Sequence, residues 1–340
     1  MPWTVSWTVF VDGQDMTSPM QPYLISITVA DKDGTVSDTC QLVFDDAGGQ
    51  IKLPQPGSSV VVYLQGVKVF EGKTDVPRFS LNRGGGRTLS VSAKGFDAKG
   101  KVKEPQSFHL DDASLQDYLD KAAQTAGISS VKIDPAFEGI QRDYWSADAD
   151  SFLHIGQRLA RELHGTFKIR GDKAVLAKRG ADAGLPTIRG VIPGNVLSCE
   201  IAPITTRRTF KQASVRYFDR PAAAWKVKDV DTGIEGADAT NSVRTAAADE
   251  AQAGEMAEGR KGEAEREGGE GTVELDLTVE AQAEALFILS GARPGVDGTY
   301  RIAGVTHKAD RGGGSTTSLE LKQPSAGAGQ DGRADKGSGL

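Results

Sequence analysis

The chain has 340 residues, of which 38% are hydrophobic and 25% charged, enough for about two or three folded units and too apolar for a disordered chain. A net charge of −6 argues against a dedicated nucleic-acid binder, which presents a basic face. Two cysteines, Cys40 and Cys199, exclude a disulfide framework or a cysteine-based zinc cage, while 41 glycines and 6% aromatics favour sheets with many turns.

No segment reads as a membrane span. The longest charge-free runs, Met16–Ala30 and Leu53–Val67, contain proline and polar residues, and a span needs about 20 apolar ones. The N-terminus lacks a basic region followed by an apolar core, so the expectation is a chain made in a cytoplasm, with no stable membrane insertion.

The opening, Trp3 to Val9, alternates apolar and polar residues as a half-buried strand does. Strand-like runs follow at Tyr23–Ala30, Thr39–Phe44, Ser59–Leu64, Lys68–Phe70, Arg78–Leu81 and Thr88–Ala93, separated by turns such as Arg83-Gly84-Gly85-Gly86. Such spacing predicts a barrel or sandwich up to about residue 100. The period then becomes helical: Leu115, Tyr118, Leu119, Ala122, Ala123 and Ala126 share a face, Ser114 and Asp117 form a capping pair, and Gly127 stops the helix. The strand Val131–Ile133 follows. A second helix carries Phe152, Leu153, Gly156, Leu159, Ala160 and Leu163, led by Ser146 and Asp148 and ended near Gly165; then comes a hairpin, Thr166–Arg170 and Lys173–Ala177. Residues 106–180 therefore read as a small α/β unit, its helices packed through Leu119, Phe152, Leu159 and Leu163.

After Pro186 strand signals resume at Ser198–Ala202, Ala213–Phe218, Trp225–Val230 and Thr272–Val279. Between them lies a polar helix at about 244–267. Its acids (Asp249, Glu250, Glu255, Glu258, Glu263, Glu265, Glu267 and, just beyond, Glu270) outnumber Arg260, Lys261 and Arg266, and its apolar stripe is mostly alanine, so it reads as a solvated face. Residues 325–340 are Gly, Ala, Ser and charge, the composition of a disordered tail.

Two distant stretches share an order of features. Val60–Leu64 leads to Gly66, a strand, Arg83-Gly84-Gly85-Gly86 and Thr88–Lys94; Leu286–Leu289 leads to Gly291, a strand, Arg311-Gly312-Gly313-Gly314 and Thr316–Lys322. Similar hairpin chemistry or two similar β-domains in one chain would each produce this echo. Two such domains per chain would let three copies build a ring of six near-equivalent units.

No residue set reads as catalytic, cofactor-binding or metal-binding. Gly66 to Thr74 resembles a phosphate loop, but its glycines are one residue too far apart and an extended pattern follows where a helix is needed. His109, His154, His164 and His307 lack metal spacing and read as structural, with His164 able to complement a helix dipole. Asp229 to Glu235 lacks the closing acid of a calcium loop.

Three blocks together resemble a known family: Ser114-Leu115-Gln116-Asp117-Tyr118-Leu119 running to Ala126-Gly127-Ile128; Ser146-Ala147-Asp148-Ala149-Asp150-Ser151-Phe152-Leu153 through Arg158-Leu159-Ala160 to Gly165; and Gly291-Ala292-Arg293-Pro294-Gly295-Val296-Asp297-Gly298-Thr299-Tyr300-Arg301-Ile302 with Val305-Thr306-His307 and Thr316-Thr317-Ser318-Leu319. The sequence is similar to the late control D family of phage tail proteins, the baseplate hubs of contractile tails, related to the hub domain of type VI secretion spike proteins. Trp145-Ser146-Ala147-Asp148 departs from the Glu or Gln usual before the second block's Ser-Asp pair. The resemblance implies an α+β, mainly β fold: a barrel-like tube domain over residues 1–105, an inserted small α/β domain over 106–180, a second barrel-like tube domain over 181–324 and the tail over 325–340. It implies no enzyme activity and no cofactor. The implied role is a homotrimeric, pseudo-sixfold ring in the virion tail baseplate, assembled in the bacterial cytoplasm. That ring would contact the tail tube protein, the central spike protein and other baseplate proteins, with DNA only as passing cargo. Alternatives are the hub of a phage-tail-like bacteriocin or other contractile injection system and, further off, a tail-tip peptidoglycan hydrolase.

Overall fold

A computed structural model describes residues 3–34, 37–180, 184–206, 209–234 and 236–333. The chain begins with β1 (Trp7–Val11), β2 (Gln14–Asp15), the short helix α1 (Thr17–Met20), β3 (Leu24–Lys32), β4 (Thr39–Asp45), β5 (Ser59–Leu64), β6 (Val67–Asn82) and β7 (Gly86–Lys94). Period-two alternation places Val9, Leu24, Ile27, Val29, Leu42, Phe44, Val60, Val62, Leu64 and Leu89 in one buried cluster. Lys68–Phe70 and Arg78–Leu81 belong to a single long strand, β6, because a bulge between Thr74 and Pro77 lets the chain bend without leaving the sheet.

The next segment contains β8 (Pro105–Ser114), α2 (Leu115–Ala126), β9 (Ser130–Ile133), β10 (Gln141–Ser151), α3 (Phe152–Glu162), β11 (Gly165–Arg170) and β12 (Lys173–Lys178). Ser114 and Asp117 form a reciprocal capping box, and Gly127 closes α2 in the left-handed region at φ 72°. Leu119, Phe152, Leu159 and Leu163 are buried in one core with Tyr118, Trp145 and Phe167. Gly156 lies directly under the Phe167 ring, where a Cβ would come within 2.3 Å. The start of α3 differs from expectation. Ser146 and Asp148 lie in β10, which continues past a bulge at Ala149 (φ 52°), and Ser151 caps α3 by accepting from the His154 amide. The antiparallel pair β8–β10 is only faintly marked in the sequence: one face packs Phe108, Leu110, Trp145 and Ala147 on this core, but the same face also carries the polar Gln106 and Asp150.

The remainder comprises β13 (Ile188–Val191), β14 (Val196–Ala202), β15 (Gln212–Asp219), β16 (Ala224–Asp231), β17 (Thr240–Ser242), α4 (Glu250–Arg266), β18 (Glu270–Asp276), β19 (Leu286–Ser290), β20 (Gly298–Asp310) and β21 (Gly314–Ser325). The acidic helix begins at Glu250 and not near 244, because the Asp249 side chain caps it from the Gln252 amide, while Ala247 is drawn into a bridge with Tyr217. Within the compositionally tail-like segment, Ser325 closes β21 and Ala328 is buried; residues 334–340 lie outside the described ones.

Mainly β, with helices grouped around large sheets, the fold is organised by one path, β14-β18-β21-β20-β3-β4-β7-β6-β5-β1-β2, with β13 on β19 and β19 on β20. It contains the same arrangement twice. The order β3-β4-β7-β6-β5-β1 recurs as β14-β18-β21-β20-β19-β13, and the strands also follow one another along the chain in matching order. The outermost pairing alone changes sense: β1–β5 is antiparallel and β13–β19 parallel. Each set has its own core, around Val62, Leu42 and Leu89 in the first and around Phe287, Tyr300 and Leu319 in the second.

Candidate functional site

The site-bearing feature is the junction between the two strand sets and its uncovered counterpart. The C-terminal half of β20 pairs antiparallel with β3, Gly304 opposite Lys32 through Asp310 opposite Ser26. Near one end of it Ile27 faces Ala309, and both are fully buried (0% exposed). At its centre, on the same face, His307 faces Val29; its Nδ1 lies 3.0 Å from the Thr317 hydroxyl, and burial holds its pKa below the ordinary value. Ala309 and Val279, from the second set, belong to the first set's core, so the two sets share a continuous apolar layer.

Charged groups lock this junction to the α/β unit. Lys168 on β11 reaches both Asp31 and Asp38, the latter at 2.7 Å, and Arg170 Nε donates to Asp38 at 2.8 Å. Burial works to raise the Asp31 carboxyl, but Lys168 overrides it and Asp31 ends below its ordinary value; Asp38 ends above, raised by burial and by Asp31 beside it. Arg266 at the end of α4 is buried between Asp33 and Glu284, donating to the latter at 2.8 Å. Both acids of the first cluster are engaged by cations, so they do not form a free acid–base pair. Breaking such a buried pair typically costs about 3–5 kcal/mol, which fits a mechanical joint better than a reactive centre.

The acidic helix is more than a solvated face. Ala253, Ala257, Gly259 and Ala264 are buried. A Cβ on Gly262 would come within 2.7 Å of the His164 ring, so α4 packs tightly onto the α/β unit. Glu255 pairs with Arg142, which also holds Glu162, and Glu267 pairs with Lys322. His164 does not act as a cation on the α3 dipole: burial, with Arg179 and Arg266 adding, pushes its pKa down to about 4. His154 pairs with Asp150, and His109 stacks on Tyr144. Gln65 and Gly66 form a two-residue hairpin turn with positive φ, the geometry that replaces a phosphate loop there. Asp231 turns the chain by accepting from the Gly233 amide; Glu235 lies outside the described residues. Among the described residues no His, Cys, Asp or Glu cluster could hold a metal ion, and no helix is long and apolar enough to cross a membrane.

The strand equivalent to β20 is β6, and its C-terminal half lacks a cover like β3. Phe79 is 54% and Leu81 67% exposed, on one face of the strand. At the far end of the sheet β14 is equally bare: Leu197 is 53% exposed, Cys199 is exposed, and Ile204 just beyond is 68% exposed. Such exposed strand edges offer unpaired N–H and C=O groups and apolar side chains to which another strand can add.

Comparison with known proteins agrees with this architecture. No family model matches the chain. Over 181 residues it is 25% identical to a probable baseplate hub protein of Escherichia phage P2, a match covering 52% of this chain and 46% of that relative. This chain thus spans about half the length of that curated relative. Its fold is that of solved phage tail proteins: a tail protein from Neisseria meningitidis MC58 superposes with a TM-score of 0.69 at 17% identity, over 94% of this chain and 96% of that one. An Escherichia coli component of the type VI secretion system, described as similar to the T4 bacteriophage tail proteins gp27 and gp5, gives a TM-score of 0.58 at 12% identity, over 96% of this chain and 79% of that one. The molecule is therefore related by sequence to probable baseplate hub proteins and has the phage tail hub fold.

Proposed function

We propose that this protein is the structural hub of a contractile tail baseplate, a homotrimer whose two strand sets per chain close a pseudo-sixfold ring around a channel. The observation that carries the reading is the repeated six-strand order within one sheet, which supplies two near-equivalent building blocks per chain. One side of the ring would seat the sixfold tail tube protein and the other the threefold central spike, with further baseplate proteins around it. The two strand sets would serve as the tube domains, with the α/β unit inserted between them. The net charge of −6 suits a channel wall that repels passing DNA instead of gripping it. The protein acts by geometry and without chemistry, as a component of the virion tail assembled in the bacterial cytoplasm.

Size-exclusion chromatography with light scattering, alone and with the spike protein, tests the ring. A trimer in either condition supports it, and a strict monomer in both overturns it. Clear lysis of purified cell wall in a zymogram, lost on substitution of a single acid, would replace the structural role with a hydrolytic one.

A further inference from the structure

We propose that β14 of one copy adds as a strand to the bare half of β6 of the next copy, antiparallel, with Cys199 opposite Leu81 and Ile201 opposite Phe79. This deepens the ring reading, on which it rests, by naming the two edges that close the ring and their register.

The register follows from the internal repeat. Both meanders turn at the same place: Asn82 pairs with Gly86 and Asp310 with Gly314, each glycine at positive φ (75° and 85°). Both carry a bulge before that turn, between Thr74 and Pro77 in β6 and between Ile302 and Gly304 in β20, and its far flank, Thr74 or Ile302, lies the same number of residues from the turn. Their first strands join alike, Ser59 opposite Lys73 and Leu286 opposite Arg301. Agreement in turn, bulge and first pairing places Leu81 where Ala309 stands and Phe79 where His307 stands. The other edge is matched by walking across each set. Ile27 faces Leu42, which faces Val91; Cys199 faces Val273, which faces Leu319. Cys199 therefore holds the place of Ile27.

Within the chain, Ile27 faces Ala309. Carried to the second junction, Cys199 faces Leu81. The sizes are exchanged, large against small in one case and small against large in the other, so the same space is filled. The next inward pair, His307 with Val29, becomes Phe79 with Ile201. Leu81, Phe79, Cys199 and Ile201 then share one face and continue the layer of Val273 and Leu275, while Arg78 lies on the opposite face diagonal to Glu200. Pro77 and Pro203 meet where the ladder ends; neither offers an N–H, so a proline pair closes it without breaking a bond. A second copy is the occupant because β3 already plays this part inside the chain, and a head-to-tail contact of this kind closes rings.

The test is a register-specific cross-link in the full chain, using Leu81→Cys with the native Cys199. Cys40 does not compete, because it is buried and its thiol is pushed up to about 12. Directly opposed residues lie within disulfide reach. Under oxidised glutathione at high protein concentration, Leu81→Cys is expected to give covalent dimers and trimers and nothing larger. Adding Cys199→Ala should abolish them, and Ser80→Cys, on the other face, should give fewer than one tenth as many. Phe79→Cys with Ile201→Cys in a Cys199→Ala background repeats the test should Leu81→Cys fold poorly. Trimers by light scattering without these cross-links, or equal cross-linking from Ser80→Cys, overturn the pairing and leave the ring standing. A ladder running past three chains keeps the pairing and overturns the closed ring. A monomer without cross-links at every concentration overturns both.

Discussion

Strands β6 and β20 occupy the same place in two equivalent strand sets, and their fates differ. Opposite β20 lies β3 of the same chain, which buries Ala309, His307 and Val305; along β6 the matching positions carry Leu81, Phe79 and Pro77 beside water. Replacing a small or polar side chain by a larger apolar one at an exposed site adds nothing to the stability of a lone chain. The difference makes sense where the exposed edge is finished by another molecule. On the proposed pairing it also separates two kinds of apolar residue that composition cannot distinguish: those holding the chain together and those that would hold an assembly together.

Paired substitutions put the largest strain on this comparison. Ile27→Ala removes a fully buried side chain and should lower stability by about 2–5 kcal/mol, whereas Leu81→Ala should change the monomer's melting by less than about 0.5 kcal/mol and weaken only association. Leu159→Ala in the α/β core serves as a control of the first size. Equal effects of Ile27→Ala and Leu81→Ala in thermal melts would erase the distinction drawn between the two edges.

The glycines that follow the first strand of each meander are a smaller contrast. Gly66→Ala meets no atom within 4 Å and should cost only the about 1–2 kcal/mol of a left-handed alanine. Gly291→Ala should cost more, since its Cβ would lie 1.9 Å from the Ile192 carbonyl oxygen at φ 88°. Calorimetry on the two variants checks the order.

His307 stands where β6 has Phe79, which turns the comparison into a pH effect. Burial keeps His307 neutral in the fold, and His164 likewise down to about 4. Both bind protons more readily when unfolded. For His164 stability is therefore fully present above the unfolded value of about 6.5 and is lost as pH falls towards about 4, by up to about 1.4 kcal/mol per pH unit; His307 contributes in the same direction below about 6.5. His307→Phe, borrowing the residue of the equivalent position, should flatten the slope below pH 6.5 in denaturant titrations; an unchanged slope would place the proton uptake elsewhere. The smallest effect is chemical: a thiol reagent should label Cys199 in the monomer, spare Cys40 until unfolding, and lose Cys199 on assembly.

Much of this was legible from residues alone. Alternation marked most strands of the large sheet, Ser114, Asp117 and Gly127 bracketed α2, and the two Arg-Gly-Gly-Gly turns announced the meanders. The misreadings have physical causes. Ser146 and Asp148 are good caps that a longer strand, β10, absorbed, leaving the task to Ser151. The pair β8–β10 shows only two short apolar alternations, Phe108 with Leu110 and Trp145 with Ala147, diluted by the acids and serines around them. The acids of α4 looked solvated because their partners, Arg142 and Lys322, are remote in sequence. The site was half visible: the repeat was in the sequence, but the exposure of Phe79 and Leu81 was not, since each sits in an ordinary strand pattern.

Local order is what the sequence determined by itself: which residues extend, which coil, where the chain turns, and that one theme occurs twice. These follow from side-chain periodicity and backbone sterics within a few residues. Only the tertiary structure decided that β3 closes on β20 and that β6 and β14 remain open, because strand edges are interchangeable donors and acceptors until long-range packing brings one partner within reach.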